Sequence, residues 1–345
     1  MTTPTVDIII PVWNQPFETR ACLVSILNTA DSARLIIINN GCDRDTELLL
    51  EEFCEPLGNR VLYMTMERNI GFVPALNRGL VRSDADWAMV IRSNGTVDGS
   101  WLQQLLNVTG SEQAGIISPL CTTETPLPKR LAKASCSQLE TCQISFAGML
   151  LSRSMRDEIG CFDEGLDGSC WCLRDYQQRA AAQNYRTFFV PTALVHSGPP
   201  LVFGSEERRR ERERLSQLTF LERWGTPQQF AVYFPQQIEA DHLESALTAI
   251  LAAARRGHRF TLLLHHRQYH QASEQGYRCL HTGIELISLA RFGAGRDLRK
   301  WLQKLSAESP DLSIVKGVDG IPVPGYDGAR TFSAIEDLVK GDPHA

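Results

Sequence analysis

The chain has 345 residues, 43% of them hydrophobic and 22% charged, with a formal net charge of −5. That length exceeds the ~250–300 residues at which a single core usually stops growing, so two domains are expected. The composition excludes general disorder, and the acidic balance excludes a global basic field that would draw in nucleic acid.

The first half alternates two periodicities. Val6–Val12 is a continuous apolar run that reads as a buried strand, and residues 18–28 carry helical spacing through Ala21, Cys22, Ile26 and Leu27. A second apolar strand at 35–38 closes in Asn39-Asn40-Gly41, followed by a helix at 46–53, a strand at Val61–Met66 and a helix at 73–81. Residues 88–91 form a fourth strand that stops in Ser93-Asn94-Gly95-Thr96. Trp101–Leu106 is helical, and 115–120 is again a strand. Strands apolar on both faces, alternating with helices, imply a mostly parallel sheet covered on both sides. Ligands bind such sheets at the carboxyl ends of the strands, so Trp13-Asn14, Asn39-Asn40, Arg68-Asn69 and Ser93-Asn94 form one candidate cleft lip.

Residues 121–142, rich in Thr, Pro, Lys, Ser and Cys, read as an irregular excursion. Strand character returns at 144–151, a helix follows at 175–183, and short strands at 188–190 and 193–195 lead to His196 and the Gly198-Pro199-Pro200 stop. Next comes an Arg/Glu-rich helix from Glu206 to Trp224. Its interleaved charges read as a solvated face rather than a nucleic-acid patch, with Leu215, Leu218 and Leu221 as the packed stripe. A second βα series occupies 226–345, giving expected domains of 1–225 and 226–345, the latter a smaller α/β piece of unknown role. His265, His266 and His270 cluster there as surface histidines.

Ten cysteines are scattered along the chain. In a reducing compartment they read as small buried hydrophobes rather than disulfide partners. Cys170-Trp171-Cys172, with Cys161 and His196, lacks the C-x2-C spacing of a zinc site. No apolar run approaches the ~20 residues that cross a bilayer, and Met1 to Asp7 lack a basic n-region. Neither a transmembrane segment nor a signal peptide is therefore expected, and the expected location is the cytoplasm.

Several segments, taken in order, carry a family resemblance. They are Ile8 to Asn14, Ile36 to Cys42, Asn69 to Gly79, the Ser93-Asn94-Gly95-Thr96 tip with Trp101-Leu102, and Gly160-Cys161-Phe162-Asp163-Glu164. Asp175 to Arg179, Val195-His196, and Phe220 to Gly225 complete the set. Over its first 225 residues the chain resembles family 2 glycosyltransferases of the GT-A fold, which move a sugar from a nucleotide donor to an acceptor, usually with inversion. The resemblance implies a nucleotide-sugar partner, an acceptor that is a polysaccharide, lipid-linked glycan or protein, and a Mg2+ or Mn2+ ion. The implied donor-binding residues are Pro11, Trp13, Asn14, Asn39, Asn69, Gly71, Asn77, Arg92 and Asn94. Pro11 ends a strand without needing its N–H. Trp13 offers a face for a base, with a core position as the competing reading. Asn69 and Asn77 bracket a helix start whose N–H groups suit a diphosphate, and Gly71 permits close backbone approach.

The departures are as informative. The family's base-contacting aspartate is Asn39 here, its metal-binding aspartate is Asn94, and its catalytic Glu-Asp pair falls on Cys172 and Leu173. Asp175 and Asp163 remain as candidate catalytic carboxylates, and His196 as a metal-ligand candidate. Mg2+ prefers anionic oxygen, which makes the implied ion doubtful beside Asn94. Three readings follow. The first is an active hexosyltransferase in which Arg68, Arg78 or Arg92 replaces the metal. The second is a catalytically inactive module that binds or assembles, in which an oligomer is conceivable. The third is a nucleotidyltransferase, the least compatible with lost carboxylates.

Overall fold

A computed structural model describes residues 4–124, 136–167, 170–199, 204–238 and 240–340. Half of the excursion read at 121–142, namely 125–135, and Pro200 lie outside the described residues. Two compact units result. One holds the first half of the chain and ends at Glu222; the other begins at Arg223 and takes in the stretch ending at Cys142.

The first unit is built on β1 (Val6–Val12), α1 (Pro16–Leu27), β2 (Arg34–Asn40), α2 (Arg44–Cys54), β3 (Val61–Met66), α3 (Phe72–Arg82) and β4 (Trp87–Val90). It continues with β5 (Gly95–Val97), α4 (Trp101–Leu106) and β6 (Ala114–Cys121). Strand β7 (Leu139–Glu140) falls in the second unit. Then come β8 (Met149–Ser152), α5 (Arg153–Ile159), α6 (Trp171–Ala182), β9 (Arg186–Ser197) and α7 (Glu206–Trp224). The strands lie side by side in the order β3-β2-β1-β4-β8-β6-β9-β5. β3, β2, β1 and β4 are mutually parallel, β8 runs antiparallel to both β4 and β6, and β5 runs antiparallel to β9. The expected mostly parallel sheet is therefore present, with β8 inverted in its middle and β5 antiparallel at its edge.

Every residue of β1 is buried. Ile8, Ile10 and Val12 pack with α1 residues Cys22, Leu23 and Ile26 on one face, and Ile9 packs with Val73, Ala75 and Leu76 of α3 on the other. Such two-sided burial explains the unbroken apolar run, since neither face of the strand meets water. α3 can approach because of Gly79: a Cβ there would stand 2.5 Å from Ile9 Cγ2 and 2.8 Å from Ile38 Cδ1.

Some elements differ from the sequence reading. β9 is one strand from Arg186 to Ser197, where the sequence suggested two, because it shifts register against β6 between Pro119 and Leu120. α6 begins at Trp171, four residues before the expected start at 175. On α7 the buried residues are Ser216 and Phe220, whereas Leu215 and Leu218 are exposed, so the leucine stripe is not the packed one. The charged face is solvated as expected, with Arg214 and Glu211 2.8 Å apart.

The second unit carries β10 (Gln229–Tyr233), α8 (Ala240–Arg255), β11 (Arg259–Leu264), α9 (His266–Glu274), β12 (Ile284–Ser288), α10 (Ala294–Glu308), β13 (Ser313–Lys316) and α11 (Ser333–Lys340). Its sheet is all parallel, in the order β12-β11-β10-β13. Residues 136–142 are fastened to it. Cys136 is disulfide-bonded to Cys279, with Cα atoms 5.9 Å apart, and Glu140 is held by Arg255 through two nitrogens. This pairing departs from the expectation of unpaired thiols. A partner 143 residues away leaves no mark in local spacing. The histidines also differ, since His265 caps α9 and its Nε2 lies 3.2 Å from the Tyr233 hydroxyl. Among the described residues, no helix is long and apolar enough to cross a membrane.

A methyl group at Gly79 has nowhere to go between β1 and β2. We expect Gly79→Ala to destabilise the first unit by about 1–3 kcal/mol, read as a lowered midpoint in denaturant unfolding.

Candidate active site

The carboxyl ends of β1, β2 and β4 bring their loops together, and small polar side chains tie the loops to one another. After β1 the backbone turns sharply at Asn14 and Gln15, both with positive φ (54° and 58°). Such geometry is uncommon for non-glycine residues and is held here by neighbours. Asn14 Oδ1 accepts from the Asp43 N–H at 2.7 Å, and the Asn14 N–H points at Cys42 Sγ, 3.4 Å away. The Cys42 thiol in turn donates to the Val12 carbonyl, so the β1 and β2 tips are stitched through one sulfur. Burial pushes the Cys42 thiol up, keeping it a neutral donor.

Asn39 and Asn40 divide the work at the β2 tip. Asn39 accepts from the Cys42 N–H at 2.9 Å and donates to the Tyr63 hydroxyl at 3.1 Å. Asn40 donates to Asn69 Oδ1 and to the Gly71 carbonyl, both at 3.1 Å, and accepts from the Ile70 N–H at 3.0 Å. Gly41 (φ +70°) packs beneath this loop: a Cβ there would collide with the Arg68 carbonyl carbon at 2.3 Å. Asn69 closes the turn by accepting from the Gly71 N–H at 2.8 Å. Asn69 and Gly71 thus shape the loop that leads into α3, as the sequence suggested.

Asn77 has a different task. It donates to the Phe162 carbonyl and to Glu164 Oε1, and accepts from the Phe162 N–H. It therefore clamps α3 to the 160–164 segment rather than reaching for a ligand. Pro11 is buried within β1, and Trp13 is half-buried just beyond it. Arg68 and Arg78 are exposed.

The β4 tip holds the least ordinary chemistry. The strand ends at Val90, and the Gly95 N–H bonds back to the Arg92 carbonyl at 3.0 Å, so residues 92–95 form a turn. Strand alternation therefore does not set the relative directions of Arg92 and Asn94. Arg92 is only 9% exposed. One nitrogen meets Glu124, whose other oxygen takes the Ser145 hydroxyl, while Nε and Nη1 are buried without a partner. Burial lowers its pKa to about 10. Asn94 donates to the Pro199 carbonyl at 2.8 Å and leaves Oδ1 buried and unpartnered. Unsatisfied buried polar atoms are rare in folded proteins and call for an explanation.

The candidate carboxylates are placed unequally. Asp175 is fully buried, paired with Arg179 Nε at 2.9 Å, and that guanidinium also donates to the carbonyls of Ile159 and Cys161. This is a structural ion pair inside the core. Asp163 accepts from the Gly165 N–H at 2.9 Å and caps the short turn Glu164–Leu166. His196 Nε2 lies 3.6 Å from Asp98 Oδ2, both largely exposed. Cys172 is buried and its thiol is pushed far up by desolvation, so it cannot serve as a thiolate. One carboxylate that sequence reading missed, Asp167, sits half-buried with its Oδ2 3.6 Å from where a Gly71 Cβ would stand. Only its placement at the rim of α3 marks it, and no spacing signals it.

The donor set at the β4 tip does not suit Mg2+ or Mn2+. Asn94 offers one neutral oxygen, and the acid beside His196, Asp98, is largely exposed at 3.6 Å from it. Among the described residues no three His, Cys, Asp or Glu side chains gather as a cation site, nor do the thiols of Cys161, Cys170 and Cys172.

The description "Glycosyl transferase family 2" matches residues 7–162. That match spans a little under half of the chain. Among solved structures, GalNAc-T7 with UDP, GalNAc and Mn2+ is similar at a TM-score of 0.53 and 15% identity, covering 64% of this chain and 49% of that one. The mannosyltransferase PcManGT from Pyrobaculum calidifontis, with GDP-Man and Mn2+, is similar at a TM-score of 0.51 and 13% identity, covering 90% of this chain and 82% of that one. These likenesses show the GT-A fold. The chain spans about half the length of the GalNAc-T7 structure. No curated protein sequence matches it. The matched residues include β1 from Asp7 onward, β2 to β4, the Asn69 to Gly71 loop and the β4 tip with its neutral Asn94.

We expect Asp175→Asn to cost about 3–5 kcal/mol of stability, because it strands Arg179 in the core. Calorimetric unfolding would reveal it as a lowered midpoint. Asn94→Asp should confer Mn2+ affinity on the β4 tip, measured by titration of the metal alone; no gain would show that the tip is out of register with the family's metal-binding position.

Proposed function

We propose that the chain is a glycosyltransferase that moves a sugar from a nucleotide-sugar donor to an acceptor hydroxyl with inversion and without relying on a divalent cation. The observation that supports this reading is the pair of unpartnered groups at the β4 tip, Arg92 Nε and Nη1 with Asn94 Oδ1. An anionic diphosphate would satisfy the two N–H groups, and a donor hydroxyl would satisfy the amide oxygen. Arginine is suited to the purpose because it stays charged and directs several donors at phosphate oxygens. As the anomeric C–O bond breaks, the negative charge that develops on the leaving diphosphate would be met by fixed donors that need no reorganisation. Around it, the Asn40–Asn69–Gly71 network holds the start of α3 rigid against the donor. Trp13 and Asn14, just beyond β1, are assigned to the nucleoside end, while the buried Asn39 holds the β2 tip. We also assign the chain to the cytoplasm on the strength of its eight free cysteines; the Cys136–Cys279 bond is the feature that argues for an oxidising compartment.

The competing reading, a module that binds without turnover, is favoured by the commitment of Asp175 to Arg179 and by the buried Cys172 and Leu173.

Calorimetry with UDP-, GDP- and dTDP-sugars, with and without Mn2+, tests the proposal. We expect one donor to bind independently of Mn2+ and to release its nucleoside diphosphate slowly. Arg92→Leu should weaken that donor about 10–100-fold, the worth of one charge-assisted contact. Tight binding with no release under any condition would move the balance to the binding module.

A further inference from the structure

The first turn of α6 is where the family carries its catalytic carboxylates, and here that turn is apolar: Cys172 and Leu173 are both buried. A carboxylate nonetheless reaches this place from upstream. Asp167 closes the short turn Glu164–Leu166, and its side chain lies between two helix starts. On one side is Gly71, whose Cβ, if it had one, would stand 3.6 Å from Asp167 Oδ2 and 3.4 Å from Pro74 Cδ. On the other is Cys172, close enough for the Asp167 charge to act on its thiol. A side chain at position 71 would fill the space in front of the carboxylate, and Gly71 (φ +99°) leaves it open.

The contrast with Asp175 is instructive. That buried carboxylate is neutralised by a guanidinium at 2.9 Å, as a structural acid should be. Asp167 is half-buried with no such clasp among the described residues. The charged and titratable groups that face it are Glu164 on its own turn, Cys172 on α6 and Arg212 on α7, where Arg212 is an exposed side chain. Burial lifts the Asp167 carboxyl to about 6, with Glu164 pushing the same way and Arg212 opposing. A carboxylate ionised just below neutral pH is well matched to taking a proton from a hydroxyl.

We propose that Asp167 is the general base of the transfer, supplying from the 164–167 turn the carboxylate that positions 172 and 173 lack. It accepts the proton of the acceptor hydroxyl as that oxygen bonds to the anomeric carbon, and the anomeric C–O bond to the diphosphate breaks with its electron pair leaving on the nucleoside diphosphate. This inference rests on the glycosyltransferase reading above.

The test uses the full chain and UDP-, GDP- and dTDP-sugars with water as the acceptor. Nucleoside diphosphate release is followed against pH, and donor binding by calorimetry. Carbodiimide coupling of glycine ethyl ester to Asp167 is followed by mass spectrometry with and without donor. The wild type should show a rate that rises with pH through about 6 as the carboxyl ionises, and bound donor should slow coupling at Asp167. Asp167→Asn should keep donor affinity and the thermal midpoint, lose ~10²–10⁴-fold in release and lose the limb near pH 6, with Asp167→Glu recovering part of the rate. An unchanged rate and limb in Asp167→Asn would overturn the proposal while leaving the glycosyltransferase reading intact. So would coupling at Asp167 that ignores bound donor, whatever the turnover. Donor binding without any release by the wild type would overturn it too, by leaving no proton to take. Failure of every donor to bind would remove the glycosyltransferase reading itself, and this proposal with it.

Discussion

The side chain of Asn40 sets where α3 begins, and much of the candidate site follows from that placement. Sitting at the tip of β2, it uses both amide donor positions and its oxygen on the Asn69–Gly71 loop, at 3.0–3.1 Å throughout. Gly41 then lets the same loop rest directly on the β2 backbone. Because β2 lies beside β1 in a six-residue parallel register, the loop is positioned against the β1 tip as well. Packing below and hydrogen bonding above therefore agree. Gly79 seats the body of α3 on Ile9 and Ile38, and Asn40 holds its first residues. A loop fixed in this way can meet a charged ligand without first having to be ordered, which is the condition for effective electrostatic stabilisation.

Charge is handled sparingly in this unit. Arg179 is matched to Asp175 and Arg92 to Glu124, while the buried Arg156 donates to the carbonyls of Ser83 and Ala85. The pairs differ in what they leave over. Arg179 spends its other nitrogens on backbone carbonyls, so its pair is closed and serves stability. Arg92 keeps Nε and Nη1 unspent, so its pair is open and costs stability unless something binds.

The second unit is a four-stranded parallel sheet with its own core around Phe230, Val232, Ile250 and Leu262. Its most distinctive feature is the fastening of residues 136–142 by a disulfide, a two-pronged Arg255–Glu140 ion pair and the Thr141–Thr282 hydroxyl contact. A segment that interrupts the first unit in sequence thereby belongs to the second in space.

The sequence by itself determined the sheet. Val6–Val12 and the apolar core of β2 could only be strands buried on both faces, and the Asn69 to Gly79 pattern could only be a turn entering a helix. It also led to the expectation that Asn94, Cys172 and Leu173 stand where the resemblance implies acids, because side-chain chemistry is written residue by residue. Tertiary structure decided everything that depends on distant partners. It made Asn77 a clamp on Phe162 and Asp175 a core ion partner, and it left Arg92 half-satisfied. It bent the chain out of strand geometry after Val90, and it joined Cys136 to Cys279. It also placed Asp167 beside Gly71, though the two lie far apart in the chain. Local periodicity reports which face a residue lies on. Whether a polar group is spent or free depends on what the rest of the fold brings within about 3 Å of it, and no local pattern encodes that distance.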